Sequence, residues 1–95
     1  MQSNKLKELR NFSDPEYVMN KAKMMGLNPV HESSRKDKKY MVFDGRKMVN
    51  FGQMGFEDAT KHNDLNRING FKKRNWKWQN SPKYSPAWLS WFLLW

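Results

Sequence analysis

The run Tyr40-Met41-Val42-Phe43, the pair Asp44-Gly45 and the returning run Lys47-Met48-Val49-Asn50-Phe51 constrain this chain more than any other feature. Two strand-forming runs joined by Asp-Gly read as a β-hairpin, because a tight type I′ turn needs residues that accept positive φ. With a two-residue turn, Met41 faces Met48 and Tyr40 faces Val49 across the ladder. Upstream, residues 30–34 follow Pro29 as a short strand, and Arg35-Lys36-Asp37-Lys38 reads as a charged hairpin loop. The expected centre is a three-stranded antiparallel meander. Such a small sheet needs cover on one face to be stable.

The first cover is a helix over about residues 14–25. Ser13 and Glu16 have the spacing of a capping box, and Pro15 suits the first turn. Tyr17, Val18, Ala22 and Met25 fall on one helical stripe. Gly26 and Leu27 fit a left-handed C-terminal cap. Residues 1–12 read as a polar lead-in, weakly helical at Leu6 and Leu9. After the sheet, Gly52 and Gly55 punctuate the chain, and residues 57–62 fit a single helical turn. Asn63 or Asp64 caps a second helix with a stripe at Leu65, Ile68 and Phe71, in which Gly70 costs about 1 kcal/mol relative to Ala. Ser81-Pro82 breaks the chain. Ser85-Pro86 then reads as the cap and first residue of a final helix, residues 87–94. The fold class is α+β: a three-stranded antiparallel meander with an N-terminal helix and two short C-terminal helices. One domain spans residues 1–95, with the helix and meander at 13–51 and a basic, aromatic, helical half at 52–95.

Ninety-five residues with a hydrophobic fraction of 38% leave a thin core. Aromatics at 15% nevertheless favour a folded chain over a disordered one. The net charge of +9 draws phosphates, anionic lipid heads or acidic protein surfaces. With no cysteine, and with His31 and His62 as the two imidazoles, neither a disulfide framework nor a structural zinc site is expected. No cofactor is expected either. The N-terminus lacks the apolar core of a secretory signal, and the apolar run of residues 91–95 is far short of the ~20 residues of a membrane span. A soluble chain made in a reducing compartment is expected.

Three clusters carry possible chemistry. In Phe71-Lys72-Lys73-Arg74-Asn75-Trp76-Lys77-Trp78, cations could neutralise phosphates while indoles stack on bases. If extended, Trp76 and Trp78 lie on one side and Lys77 on the other; the alternative is that both indoles pack into the core. Between residues 72 and 83 there are five cations, Lys83 included, and no acid. The terminal Trp88-Leu89-Ser90-Trp91-Phe92-Leu93-Leu94-Trp95 is apolar on nearly every helical face. A domain this small cannot easily bury all of it, so Trp88, Trp91, Phe92, Leu94 and Trp95 are candidate partner contacts. A purely internal helix is the competing reading, and a lipid-interface helix a weaker one. His62 with Glu57, Asp58 and Asp64 holds acid–base groups but no nucleophile, phosphate loop or metal spacing. Asp58 and His62, four apart, suit a helical side-chain pair instead. No catalytic residue is assigned.

Phe51-Gly52-Gln53-Met54-Gly55-Phe56-Glu57-Asp58-Ala59-Thr60-Lys61-His62-Asn63-Asp64, followed by Arg67, Phe71, Arg74 and Trp76, resembles a family of short uncharacterised proteins of nucleocytoplasmic large DNA viruses. The closing block to Leu93-Leu94-Trp95, the Lys39-Tyr40-Met41-Val42 strand, Asp44-Gly45 and Gly26-Leu27-Asn28-Pro29 are similar to that family too. Ala59 stands where the family has an aromatic, Asn75 where a His often follows the Arg, and relatives run on past the point where this chain stops. The resemblance implies a non-enzymatic virion protein, expected to be a minor capsid or cement component that binds other virion proteins such as a major capsid protein. It would reside in the virion and, during assembly, in the host cytoplasm. The alternative is a viral nucleic-acid-binding protein that uses residues 71–83. A membrane partner is not expected.

Overall fold

The computed structural model describes residues 3–95. In chain order it places helices α1 (Asn4–Leu9) and α2 (Pro15–Met24), strands β1 (Val30–Glu32), β2 (Lys38–Phe43) and β3 (Met48–Gln53), and helices α3 (Ala59–His62) and α4 (Leu65–Arg74). A 3-10 turn (Trp76–Asn80) follows, then α5 (Pro86–Leu89), which runs on into a π-helical segment (Ser90–Leu94). The sheet has strand order β1-β2-β3, and both pairings are antiparallel. The α+β meander with helices on either side in sequence is therefore the fold.

The lead-in is more than a tail. Ser3 caps α1 through its hydroxyl, which accepts from the Leu6 N–H, and Leu9 is fully buried in the core. The cap of α2 is Asp14 rather than Ser13: its carboxylate accepts from the Tyr17 N–H. Ser13 is turned inward, where its hydroxyl takes a 2.6 Å bond from the Tyr40 hydroxyl. Glu16 pairs with Arg10 instead of reaching back to the cap. The C-terminus of α2 follows the expected cap. Leu27 N–H bonds Ala22 C=O, Gly26 N–H bonds Lys23 C=O, and Gly26 sits at φ +75°. The buried stripe of α2 is Pro15, Val18 and Ala22, whereas Tyr17 and Met25 lie outside it.

The hairpin register differs from expectation by two residues. Met41 pairs with Asn50 and Tyr40 with Phe51, and Phe43 pairs with Met48. The cause is Asp44, whose carboxylate accepts from the Arg46 and Lys47 N–H groups while its own N–H bonds the Lys47 carbonyl. Asp44 thereby closes the strand, and Gly45, at φ +103°, opens the turn. Because the shift is even, every side chain keeps its face. Tyr40, Val42, Val49 and Phe51 all face the core, with the Tyr40 and Phe51 rings stacked at 5.5 Å.

The C-terminal helix completes the core. Ser85 caps it, Pro86 takes its first turn, and Leu89, Leu93 and Leu94 are buried. The radius of gyration, 12.6 Å, is that of a compact chain of this length, about 12 Å. From the other end of the chain α2 packs on β1 and on the π-helical segment, and α1 adds Leu9 to the same core. No helix among the described residues is long and apolar enough to cross a membrane.

Candidate binding groove

The site rests on a buried polar knot. Asp58 caps α3 by accepting from the Thr60 N–H, and it also accepts from the Thr60 hydroxyl. Its second carboxylate oxygen receives the Lys39 ammonium at 2.9 Å, with both side chains at most 3% exposed. Lys39 also donates to the Phe12 carbonyl at 3.2 Å, and that carbonyl accepts the Asp58 N–H. Thr60 meets the Ser13 hydroxyl and accepts the Asp14 N–H. With Tyr40, whose hydroxyl donates to Ser13, five side chains from three parts of the chain thus satisfy one another. An unpaired buried charge would be far costlier than this closed set. Burial pulls the Lys39 ammonium below its ordinary pKa, and Asp58 opposes that pull. The Asp58–His62 side-chain pair does not form, because Asp58 is committed to Lys39 and Thr60.

Gly52 brings the terminal helix against this knot. At φ +79° it takes a conformation that side-chain-bearing residues rarely adopt, and a Cβ there would lie 3.0 Å from Leu94 and 3.1 Å from Lys39. Leu94, expected at a partner surface, is therefore core. Trp95 turns the other way. Its ring stacks on Phe71 at 4.2 Å and 5°, and Phe71 in turn meets Trp78 edge-on at 5.4 Å. His62 lies against the far side of Trp95 at 5.2 Å. The His62 Nδ1 accepts from the Asp64 N–H, and its Nε2 is buried without a partner. Burial, reinforced by the Arg67 guanidinium, holds this imidazole below its ordinary pKa.

Between this aromatic wall and the sheet runs a cleft of about 480 Å³. Residues 50–53 of β3 form one side, and Phe71, Trp78 and Trp95 close one end. Pro86, Ala87 and Ser90 of the terminal helix, which packs on β3, line it as well. Phe56, 70% exposed beside Gly55 at φ +98°, stands at the rim. A second depression shares Phe56, Glu57, Phe71 and Trp95 and extends to Arg67 and Arg74. The charged residues near the opening are mixed: Glu57 lines the cleft, and Arg74 lines the adjoining depression. Lys38 lines the cleft, and Lys72, Lys73 and Arg74 occupy the last turn of α4. Among the described residues, none of Lys38, Lys72, Lys73, Arg74, Lys77 or Lys83 pairs with an acidic side chain. Arg67 does, with Glu57 at 3.2 Å.

The other predicted residues divide. Trp76 and Trp78 are not on one side of an extended strand. The 3-10 turn leaves Trp76 54% exposed, with Lys77 over its ring, and sends Trp78 inward to Phe71. Trp88, Trp91 and Phe92 are half-buried. Trp88 packs between Tyr84 and Phe92, and Lys72 sits over Trp91 at 5.3 Å. Of the motif residues, Phe51, Gly52, Asp58, Thr60 and His62 build the knot and its surroundings. Asp64 caps α4 by accepting from the Asn66 and Arg67 N–H groups. The Leu65 end of the predicted α4 stripe is 73% exposed. Sequence reasoning missed Lys39, Ser13 and Tyr40 as one cluster, and missed the groove. The signal for the groove was the small set Pro86, Ala87 and Ser90 within an otherwise bulky helix.

A family model matches residues 29–75, just under half the chain, and describes a family of unknown function, DUF5754. The matched stretch runs from the start of the sheet through the knot to the end of α4, and it stops short of the terminal helix. No curated protein and no solved structure is similar enough to match.

Proposed function

We propose that this chain is a non-enzymatic binding protein that docks on another protein through its C-terminal half. In line with the motif resemblance, we assign it as a minor capsid or cement component of a large DNA virus. The observation that carries the binding role is the open aromatic cleft beside a group of unpaired cations. An apolar cleft of this size takes side chains, and free cations favour an acidic partner. The groups that might have served catalysis are occupied: Asp58 by Lys39 and Thr60, and His62 Nδ1 by the Asp64 N–H. The test is mass spectrometry and cryo-EM of purified particles from the source of the gene. The chain should be present at a fixed ratio to a structural protein, with density over its C-terminal half. Its absence from particles would refute the capsid assignment.

A second reading has its own observation. Exposed Trp76 projects beside Lys73, Arg74 and Lys77, the combination that holds single-stranded nucleic acid by stacking and phosphate contacts. It predicts binding to an oligonucleotide that weakens steeply as salt rises.

A further inference from the structure

We infer that His62 is a pH-sensitive latch on the aromatic end of the cleft: its neutral ring holds Trp95 against Phe71, and protonation releases Trp95 while the rest of the fold stays in place. The hydrogen bonding of the ring carries the argument. A backbone N–H is always a donor, so Nδ1, 2.9 Å from the Asp64 nitrogen, is the bare nitrogen, and the neutral ring keeps its proton on Nε2. Nε2 is buried without a partner. A second proton sets an N–H at Nδ1 against the Asp64 N–H and leaves the Nε2 donor of a charged ring in a dry site. Neither donor of the imidazolium is satisfied in this pose, so a ring that gains a proton must turn out to water. The groups around it do not rescue the charge. Asp58 accepts from Lys39 and Thr60, the Asp64 carboxylate accepts from the Asn66 and Arg67 N–H groups, and Glu57 pairs with Arg67. These three carboxylates attract the imidazolium without bonding it, the Arg67 guanidinium repels it, and Trp95 offers an uncharged ring.

The latch acts on one ring because the chain before that ring is anchored separately. Leu93 and Leu94 are buried in the core, and Leu94 lies against Gly52. Trp95 itself is only partly buried, tied by its backbone N–H to the Ser90 carbonyl and by its ring to His62 and Phe71. Loss of the His62 contact therefore frees a side chain and not a helix, a local opening of the kind found at the low-stability end of a fold. Its consequence is larger than its extent. Trp95 lines the cleft and two neighbouring depressions, so its departure removes a wall that all three share. An occupant seated on that ring at neutral pH loses its contact as pH falls, the behaviour of a histidine switch at an interface. The latch goes beyond the docking reading, because it concerns the wall of the cleft whatever occupies it.

The test is NMR of the full chain, isotope-labelled, titrated from neutral pH to about pH 4.5, well below the ordinary histidine range. The Trp95 indole signal should lose its ring-current shift along the same curve as the His62 ring signals, and the Phe71 ring should shift with it. The methyl signals of Val42, Val49 and Leu93 should stay fixed, recording an intact core. His62→Phe keeps a ring against Trp95 but cannot take a proton, so in that variant the Trp95 transition should disappear. Three results overturn the inference: a Trp95 signal that holds still while His62 titrates, a transition that persists in His62→Phe, or core methyl signals lost at the same midpoint. The first and third are read in the unaltered chain, so they decide the matter even if the variant folds poorly. All three concern the chain alone and leave the docking reading standing. Absence of the chain from particles refutes the capsid assignment instead and leaves the latch untouched.

Discussion

Lys39 is the residue on which the interior turns. It lies on a strand between half-buried Lys38 and core Tyr40, and its ammonium is buried against Asp58 and the Phe12 carbonyl. Removing it strands the Asp58 carboxylate, so Lys39→Met should cost about 3–5 kcal/mol. Chemical denaturation measures this directly. Replacing both partners by apolar residues should cost less than the sum of the two single changes. Gly52 and Gly55 make a controlled pair, since both sit at positive φ but only Gly52 has neighbours where a Cβ would go. Gly55→Ala should cost about 1–2 kcal/mol, the usual penalty for a left-handed residue. Gly52→Ala should cost clearly more, because Leu94 and Lys39 must also move. His62 gives a pH signature. Its pKa in the fold is depressed, so the unfolded chain binds the proton more readily. Its contribution to stability is therefore complete above the unfolded value, about 6.5, and is lost as pH falls through the lower folded value. Arg67, Asp64, Glu57 and Asp58 surround the ring electrostatically, and Trp95 covers it. Urea titrations between pH 7 and pH 5 should show a slope that His62→Phe reduces.

At the level of elements, local chemistry was readable and long-range chemistry was not. The caps Asp64 and Ser85, the Gly26–Leu27 helix end and the three strands follow from residues within a few positions of one another. Ser85→Ala should accordingly cost about 1 kcal/mol, visible as a lower thermal midpoint. The hairpin register escaped because Asp44 can serve either as a turn residue or as the residue before it, and its bonds to Arg46 and Lys47 chose the latter. Ser13 looked like a cap because capping is local; its true partners, Tyr40 and Thr60, lie far along the chain. The same holds for Trp78, which curls inward because Phe71 and Trp95 are there to receive it. The terminal helix looked too apolar to bury. Its burial depends on α2, β3 and the 3-10 turn, which pack against it from three separate stretches of the chain. The groove was illegible for the same reason: strand, small-residue helix wall and aromatic end come from three separate stretches.

For the whole molecule, the division of labour is between a closed polar and apolar interior and an open, cationic C-terminal face. The net charge of +9 is spread along the chain, and the cations of the α4 end and the 3-10 turn are among the many that have no acidic side chain within ion-pair distance. Association with an acidic partner should therefore slow as salt rises, through the on-rate, while the aromatic pocket keeps the off-rate nearly constant. Surface plasmon resonance across a salt series separates the two. The most direct test of partner-protein docking is lysine cross-linking of the chain in its native assembly, with and without nuclease. Docking through the groove predicts nuclease-resistant cross-links from Lys38, Lys72, Lys73 and Lys77 to one acidic segment of a structural protein. Loss of those cross-links on nuclease treatment, or cross-links confined to the α1 and α2 side, would contradict it.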